Sequence, residues 1–98
     1  TQLWWSEERA DHIRDRPGRY LGSTRIEPRW TIEAAEDPWR IERNPDPKSH
    51  IGAIRIIGFS LAAGFVVTVI ARPDNWKGLT AWKTSGADLR EYMDGSGE

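Results

Sequence analysis

The sequence has no cysteine, two histidines, one methionine and a net charge of only −1. Without cysteine there are no disulfides and no thiolate zinc sites, and nothing marks the chain as a cross-linked secreted scaffold. His12 and His50 lie far apart and form no metal constellation, so no metal or other cofactor is expected. No glycine-rich phosphate loop, dinucleotide fingerprint or nucleophile elbow is present. The longest apolar run, Phe65 to Ala71, contains Thr68 and falls far short of a membrane span. No stretch reads as a signal peptide. A cytoplasmic protein with no membrane contact is the expectation. The near-zero net charge gives no global attraction to nucleic acid.

What is present is local. The 98 residues suit one domain, 1–98, with two layers around a modest core. From Lys48 to Lys83 the cations are Lys48, Arg55, Arg72, Lys77 and Lys83, against Asp74 alone. From Asp88 to Glu98 the balance reverses. A basic centre before an acidic tail is consistent with a local anion site. Six tryptophans are many for this length. Trp30 and Trp82 read as core, because Trp supplies large buried area to a small domain. Trp76, beside Asn75 in a turn, reads as the exposed anchor.

Ser6 predicts a helix N-cap, with Glu7 and Glu8 in the first turn and Arg14 and Arg16 near the end, stopped by Pro17-Gly18. Arg19 to Ile26 reads as a loop or extended segment. Pro28 suits a first helical position, and Trp30 to Glu36 reads as a second helix ended by Asp37-Pro38. Trp39 to Arg43 alternates apolar and polar residues, as a half-buried strand does. Asn44-Pro45-Asp46-Pro47 marks a turn. Three further strands follow: Ala53–Phe59, Phe65–Arg72 (the central one) and Leu79–Thr84. Ser85 then caps a last helix to about Met93, and Gly95-Ser96-Gly97 reads as a flexible end. The expected fold is α+β, a small four-stranded antiparallel sheet with two N-terminal helices and one C-terminal helix.

Candidate chemistry rests on cations. Arg14, Arg16 and Arg19 cluster at the first helix end, Arg55 and Arg72 lie on adjacent strands, and Lys83 closes the last strand. His12 and Tyr92 complete the set. RNA cleavage needs no cofactor, since the ribose 2′-hydroxyl is the nucleophile. The protein must remove its proton and stabilise charge on the phosphate. Arg suits the phosphate role because it is planar, bidentate and always charged. Arg55 stands out within an apolar strand. An unpaired buried charge is costly, so Arg55 must face solvent, a carboxylate or a ligand.

The ordered pattern resembles the BrnT family of toxin ribonucleases from bacterial type II toxin–antitoxin modules. The resemblance is carried by Asp11-His12-Ile13-Arg14 with Thr31-Ile32-Glu33-Ala34-Ala35 and Asp37-Pro38. It continues through Arg55-Ile56-Ile57-Gly58-Phe59-Ser60, the strand Phe65–Ile70, and Ala81-Trp82-Lys83-Thr84 with Asp88 and Tyr92. Lys83 stands where the family has an Arg. The resemblance implies a RelE-like fold and metal-independent endoribonuclease activity. It also implies a cognate antitoxin partner, with operator DNA bound only through the antitoxin. Carried over by position, the catalytic residues are His12, Arg55, Lys83 and Tyr92, with Arg55 and Lys83 clamping the phosphate and His12 or Tyr92 handling the proton. Arg14, Arg16, Arg72, Lys77 and Trp76 are then expected to bind RNA. Arg55→Ala and Lys83→Ala should each relieve toxicity while the protein stays folded. The alternatives are a non-catalytic protein-binding module and a small nucleic-acid-binding domain.

Overall fold

The computed structural model describes residues 1–19 and 22–96. Helix α1 (Glu7–Arg14) starts at Ser6, whose Oγ accepts the Arg9 N–H at 3.2 Å. The helix ends at Asp15, and Arg16–Arg19 forms a separate helical turn, α2, that contains Pro17 and Gly18. The sequence predicted one helix through Arg16. The loop expected at Arg19–Ile26 includes Tyr20 and Leu21, which lie outside the described residues, as does the side chain of Arg19. Helix α3 (Pro28–Glu36) has proline in its first turn and stops at Asp37, before Pro38.

Four antiparallel strands follow in the order β1-β2-β3-β4: β1 (Ile41–Arg43), β2 (Ile54–Ser60), β3 (Phe65–Ala71) and β4 (Gly78–Lys83). Both β2 and β3 are interior. β1 is shorter than the alternation suggested, because Trp39 still belongs to the turn after α3 and is 60% exposed. Helix α4 (Gly86–Ser96) runs past Met93 and Gly95, into the segment expected to be a flexible end; Gly97 lies outside the described residues. The fold is therefore α+β, with a four-stranded antiparallel sheet and four helices among the described residues.

Alternation along each strand divides the sheet into two faces. Ile54, Ile56, Val67, Val69, Ala71 and Ala81 turn toward α1 and α3, where they meet Leu3, Ile13, Ile26, Ala34 and Ala35 in the main core. The other face carries Ile57 and Val66, which pack with Tyr92, Leu89 and Phe59 beneath α4. Close approach is built in with glycine. A Cβ on Gly58 would lie 2.1 Å from the Ala34 carbonyl oxygen, so the absence of a side chain lets β2 touch the α3 backbone there. A Cβ on Gly78 would lie 2.5 Å from the Trp5 ring. Trp5 in turn donates its indole N–H to buried Thr31 Oγ1 at 2.7 Å.

No helix among the described residues is long and apolar enough to cross a membrane.

Candidate nucleic-acid interface

Register fixes where the cations point. Arg55 pairs with Ile70, and Ile70 with Thr80, so these three share the α4 face with Trp82, two residues beyond Thr80. Lys83 pairs with Val67 and therefore turns to the opposite face, where its Nζ lies 5.0 Å from the Phe65 ring centroid. Arg55 and Lys83 do not form one clamp. Strand periodicity separates them, whatever their proximity in an ordered motif.

Arg55 is buried to 11% exposure and meets two carboxylates. Its Nε donates to Asp46 Oδ2 at 2.8 Å, and its Nη1 donates to Asp88 Oδ2 at 2.9 Å. Asp46, 3% exposed, comes from the loop before β2, and Asp88 from the first turn of α4. Burial alone would raise the Asp46 carboxyl, but the Lys48 N–H and the Arg55 guanidinium outweigh it and hold the pKa below its usual range. Of the options open to a charge within an apolar strand, the carboxylate partner is the one realised. The Arg55 guanidinium also lies 5.6 Å from the centroid of the Trp82 ring.

Tyr92 is buried and donates its hydroxyl hydrogen to Asp37 Oδ2. Desolvation and the adjacent Asp37 carboxylate push its pKa up to about 12. A phenol held protonated in this way is a poor general base at neutral pH. His12 sits on α1 at an open cavity of about 520 Å³, where Glu8, Asp11 and Asp15 alternate with Arg9, Arg14 and Arg25. That lining carries no positive excess to attract a phosphodiester. Of the four expected catalytic residues, Arg55 and Tyr92 share the α4 face of the sheet, each bonded to a carboxylate, while Lys83 turns to the opposite face and His12 lies on α1.

The expected RNA-binding set also divides. Arg14 is engaged by Glu27 at 3.0 Å and faces Asp11 at 3.5 Å. Arg72 pairs with Asp74, and Lys77 lies 5.9 Å from the Trp4 ring centroid. Both stand at the β3–β4 hairpin, at the opposite end of β4 from Lys83. Trp76 is not the exposed anchor. It adopts φ 61° in the hairpin and packs half-buried on the main core. Trp30 does pack on the core, edge-on to Phe65. Trp82 belongs to neither apolar cluster.

Instead, among the described residues, Trp82 is the centre of an arrangement that gathers cations, an aromatic ring and hydroxyls. Arg16 reaches across the β4 edge from α2, donates to Thr80 Oγ1 at 3.3 Å, and places its guanidinium 5.7 Å from the Trp82 centroid. A cleft of about 470 Å³ opens here, lined by Arg16, Gly22, Ser23, Thr24, Trp82, Lys83, Thr84 and Ser85. Lys83 joins from the other face because β4 is an edge strand. Thr84 is buried against Thr68 with the hydroxyl oxygens 2.7 Å apart. The strand pairing puts Trp82 and Arg55 on one face; the approach of Arg16 had no signal in the sequence. Among the described residues, no cluster of three His, Asp or Glu side chains is placed to hold a metal ion.

No protein-family model matches the chain, and no curated protein or solved structure shows significant similarity to it.

Proposed function

We propose that this protein binds single-stranded RNA at the Trp82 cleft. The carrying observation is the Trp82 indole flanked by the guanidinium groups of Arg16 and Arg55 on a cleft that also holds Lys83. An unstacked base can lie on an indole, while Arg and Lys take the adjoining phosphates and hydroxyl side chains face the ribose. Arg55 is fixed by its two carboxylates. In this reading Arg16 exchanges its present contacts for a phosphate and uncovers the ring for a base. Near-neutral overall charge argues against duplex binding, which relies on an extended basic surface.

The wider reading is a cytoplasmic toxin of a type II toxin–antitoxin module, a metal-independent endoribonuclease neutralised by a cognate antitoxin. Its support is the sequence resemblance together with this cleft. Arg16 and Lys83 would then stabilise the phosphate while the 2′-oxygen bonds to phosphorus and the P–O5′ bond breaks, the proton passing from the 2′-oxygen to the leaving 5′-oxygen by way of solvent, and Arg55 would position Trp82 rather than touch RNA. A non-catalytic RNA-binding domain shares the cleft but leaves RNA intact.

The test is titration of a labelled single-stranded oligoribonucleotide. Trp82→Ala and Lys83→Ala should each weaken binding about tenfold, the order expected for one lost stack or phosphate contact. Unchanged affinity in both variants would remove the cleft from the interface. Incubation of RNA with and without EDTA, together with expression in a host lacking an antitoxin, separates the toxin from the binding domain. Chelator-resistant cleavage and arrested growth favour the toxin; intact RNA and normal growth favour the binding domain.

A further inference from the structure

A second surface has the opposite character. β1 covers β2 only from Arg55 to Ile57, whereas β2 continues to Ser60. Beside Phe59 and Ser60, carboxylates stand where another strand would pair. Asp37 Oδ2 accepts the Phe59 N–H at 2.8 Å, and Glu33 Oε1 accepts the Ser60 hydroxyl at 2.6 Å and the Ala62 N–H at 2.9 Å. These backbone donors are taken, which disfavours docking by strand addition. What stays open is a groove of about 380 Å³ between α3 and the β2–β3 turn, lined by Glu33, Glu36, Asp37, Pro38, Phe59 and Leu61.

Two features of the groove ask for an occupant. Leu61 is 85% exposed at its rim, and Trp39, next to Pro38, is 60% exposed. Large apolar side chains of this kind at the edge of a concave apolar floor fit a protein contact. The ionisable groups of the lining are all carboxylates. Hydrogen bonds from Ser60 and from the Ala62 N–H hold the Glu33 carboxyl below its usual pKa, so it stays charged at neutral pH. Arg29 and Arg40 act on Glu33 and Asp37 from outside the lining, which itself offers a phosphate no cation, and this separates the groove from the Trp82 cleft.

We propose that the groove docks a partner protein through a segment that presents an apolar side chain flanked by Lys or Arg. The apolar side chain lies on Phe59, Pro38 and Leu61, and the flanking cations meet Glu33 and Glu36, the latter exchanging its 3.6 Å contact with the Thr1 ammonium. Such charge complementarity selects the partner and speeds encounter more than it adds affinity.

The test uses the full chain and a synthetic amphipathic Leu–Lys peptide, with a Leu–Glu peptide of the same length as control. Nuclear magnetic resonance titration with the Leu–Lys peptide should shift the amides of Trp39, Phe59 and Leu61. Leu61→Ser and Glu36→Lys, both at exposed side chains, should each weaken binding about tenfold. Glu8→Lys makes the same charge change on α1 and should leave binding unchanged. Equal loss in Glu8→Lys would reduce the effect to overall charge and overturn the proposal. So would equal binding of the Leu–Glu peptide, or the absence of shifts at Leu61. Self-association abolished by Leu61→Ser would also overturn it, since the occupant would then be a second copy of the chain.

Discussion

Tyr92 Oη donates a hydrogen bond to Asp37 Oδ2, tying the middle of α4 to the residue that ends α3. Asp37 also accepts the N–H groups of Trp39 and Phe59, at 2.9 and 2.8 Å. One buried carboxylate therefore closes α3, shapes the turn into β1 and anchors α4. Residues 55 apart in sequence are joined by it. A base waiting for a substrate proton would have a different environment.

Tyr92→Phe should lower stability by about 1–3 kcal/mol, because it removes one donor from a buried carboxylate. RNA binding at the Trp82 cleft should not change. The pH dependence has a definite sign. The Tyr92 pKa is raised, so its contribution is complete below about pH 10 and is lost as pH rises toward about 12. For Asp37, burial opposes ionisation, but the bonds from Tyr92, Phe59 and Trp39 prevail and lower the pKa. Its contribution is complete above the ordinary Asp range and is lost as pH falls through the depressed value. Denaturant unfolding across pH should show a flatter alkaline limb in Tyr92→Phe than in the parent chain. A stable variant that had lost only an RNA activity would return Tyr92 to the catalytic set.

Arg55→Ala carries a prediction opposite to the one the sequence suggested. Removing the guanidinium leaves Asp46 and Asp88, 3% and 17% exposed, facing each other without their shared cation. The expected loss is about 3–5 kcal/mol, the scale for breaking a buried ion pair from one side. Calorimetry or chemical unfolding measures it. Arg55→Lys should recover only part, because one ammonium cannot reproduce two directed N–H bonds. A variant as stable as the parent would mean that the pair contributes nothing, and Arg55 could then be read as a ligand contact.

Much of the fold was legible because its signals are local and periodic. Ser6, Pro28 and Asp37-Pro38 mark helix ends, and the β-branched runs mark β2 and β3. Arg55 was legible in part: a charge in an apolar strand demanded a partner, but the partners come from a loop and from α4, 9 and 33 residues away. The expected site failed on register. Arg55 and Lys83 read as two cations of one meander, yet the strand pairing sets them on opposite faces. Trp82, read as core, stands outside both apolar clusters, and Trp76, read as exposed, packs on the core, for a related reason. A turn position does not imply exposure when the chain start, through Trp4, folds back along Lys77.

Gly58→Ala tests the packing of α3 on β2. Its new Cβ would meet backbone, the Ala34 carbonyl oxygen at 2.1 Å and the carbonyl carbon at 2.8 Å, so no side-chain rotation relieves the overlap. The helix or the strand must move. The expected destabilisation is about 3 kcal/mol, at the upper end for overpacking. It should appear as a lower Tm. Gly95→Ala, with nothing within 4 Å of the added methyl, is the matched control and should leave Tm unchanged or slightly raised.

Salt dependence distinguishes a compact RNA site from a broad basic surface. Each phosphate neutralised on a single strand contributes about −0.7 to the slope of log K against log salt. The Trp82 cleft offers Arg16 and Lys83 to phosphates, which predicts a slope of about −1.4. Engaging Arg14, Arg72 and Lys77 as well would raise this to about −3.5. Arg14 and Arg72 are already held by Glu27 and Asp74, and the pairing must be exchanged before either reaches a phosphate. The shallow slope is therefore expected, and Lys83→Ala should reduce it by about 0.7 while Arg72→Ala leaves it unchanged. Titrations between low and physiological salt measure it directly. A steep slope that flattens in Arg72→Ala would move the RNA path to the β3–β4 hairpin and away from Trp82.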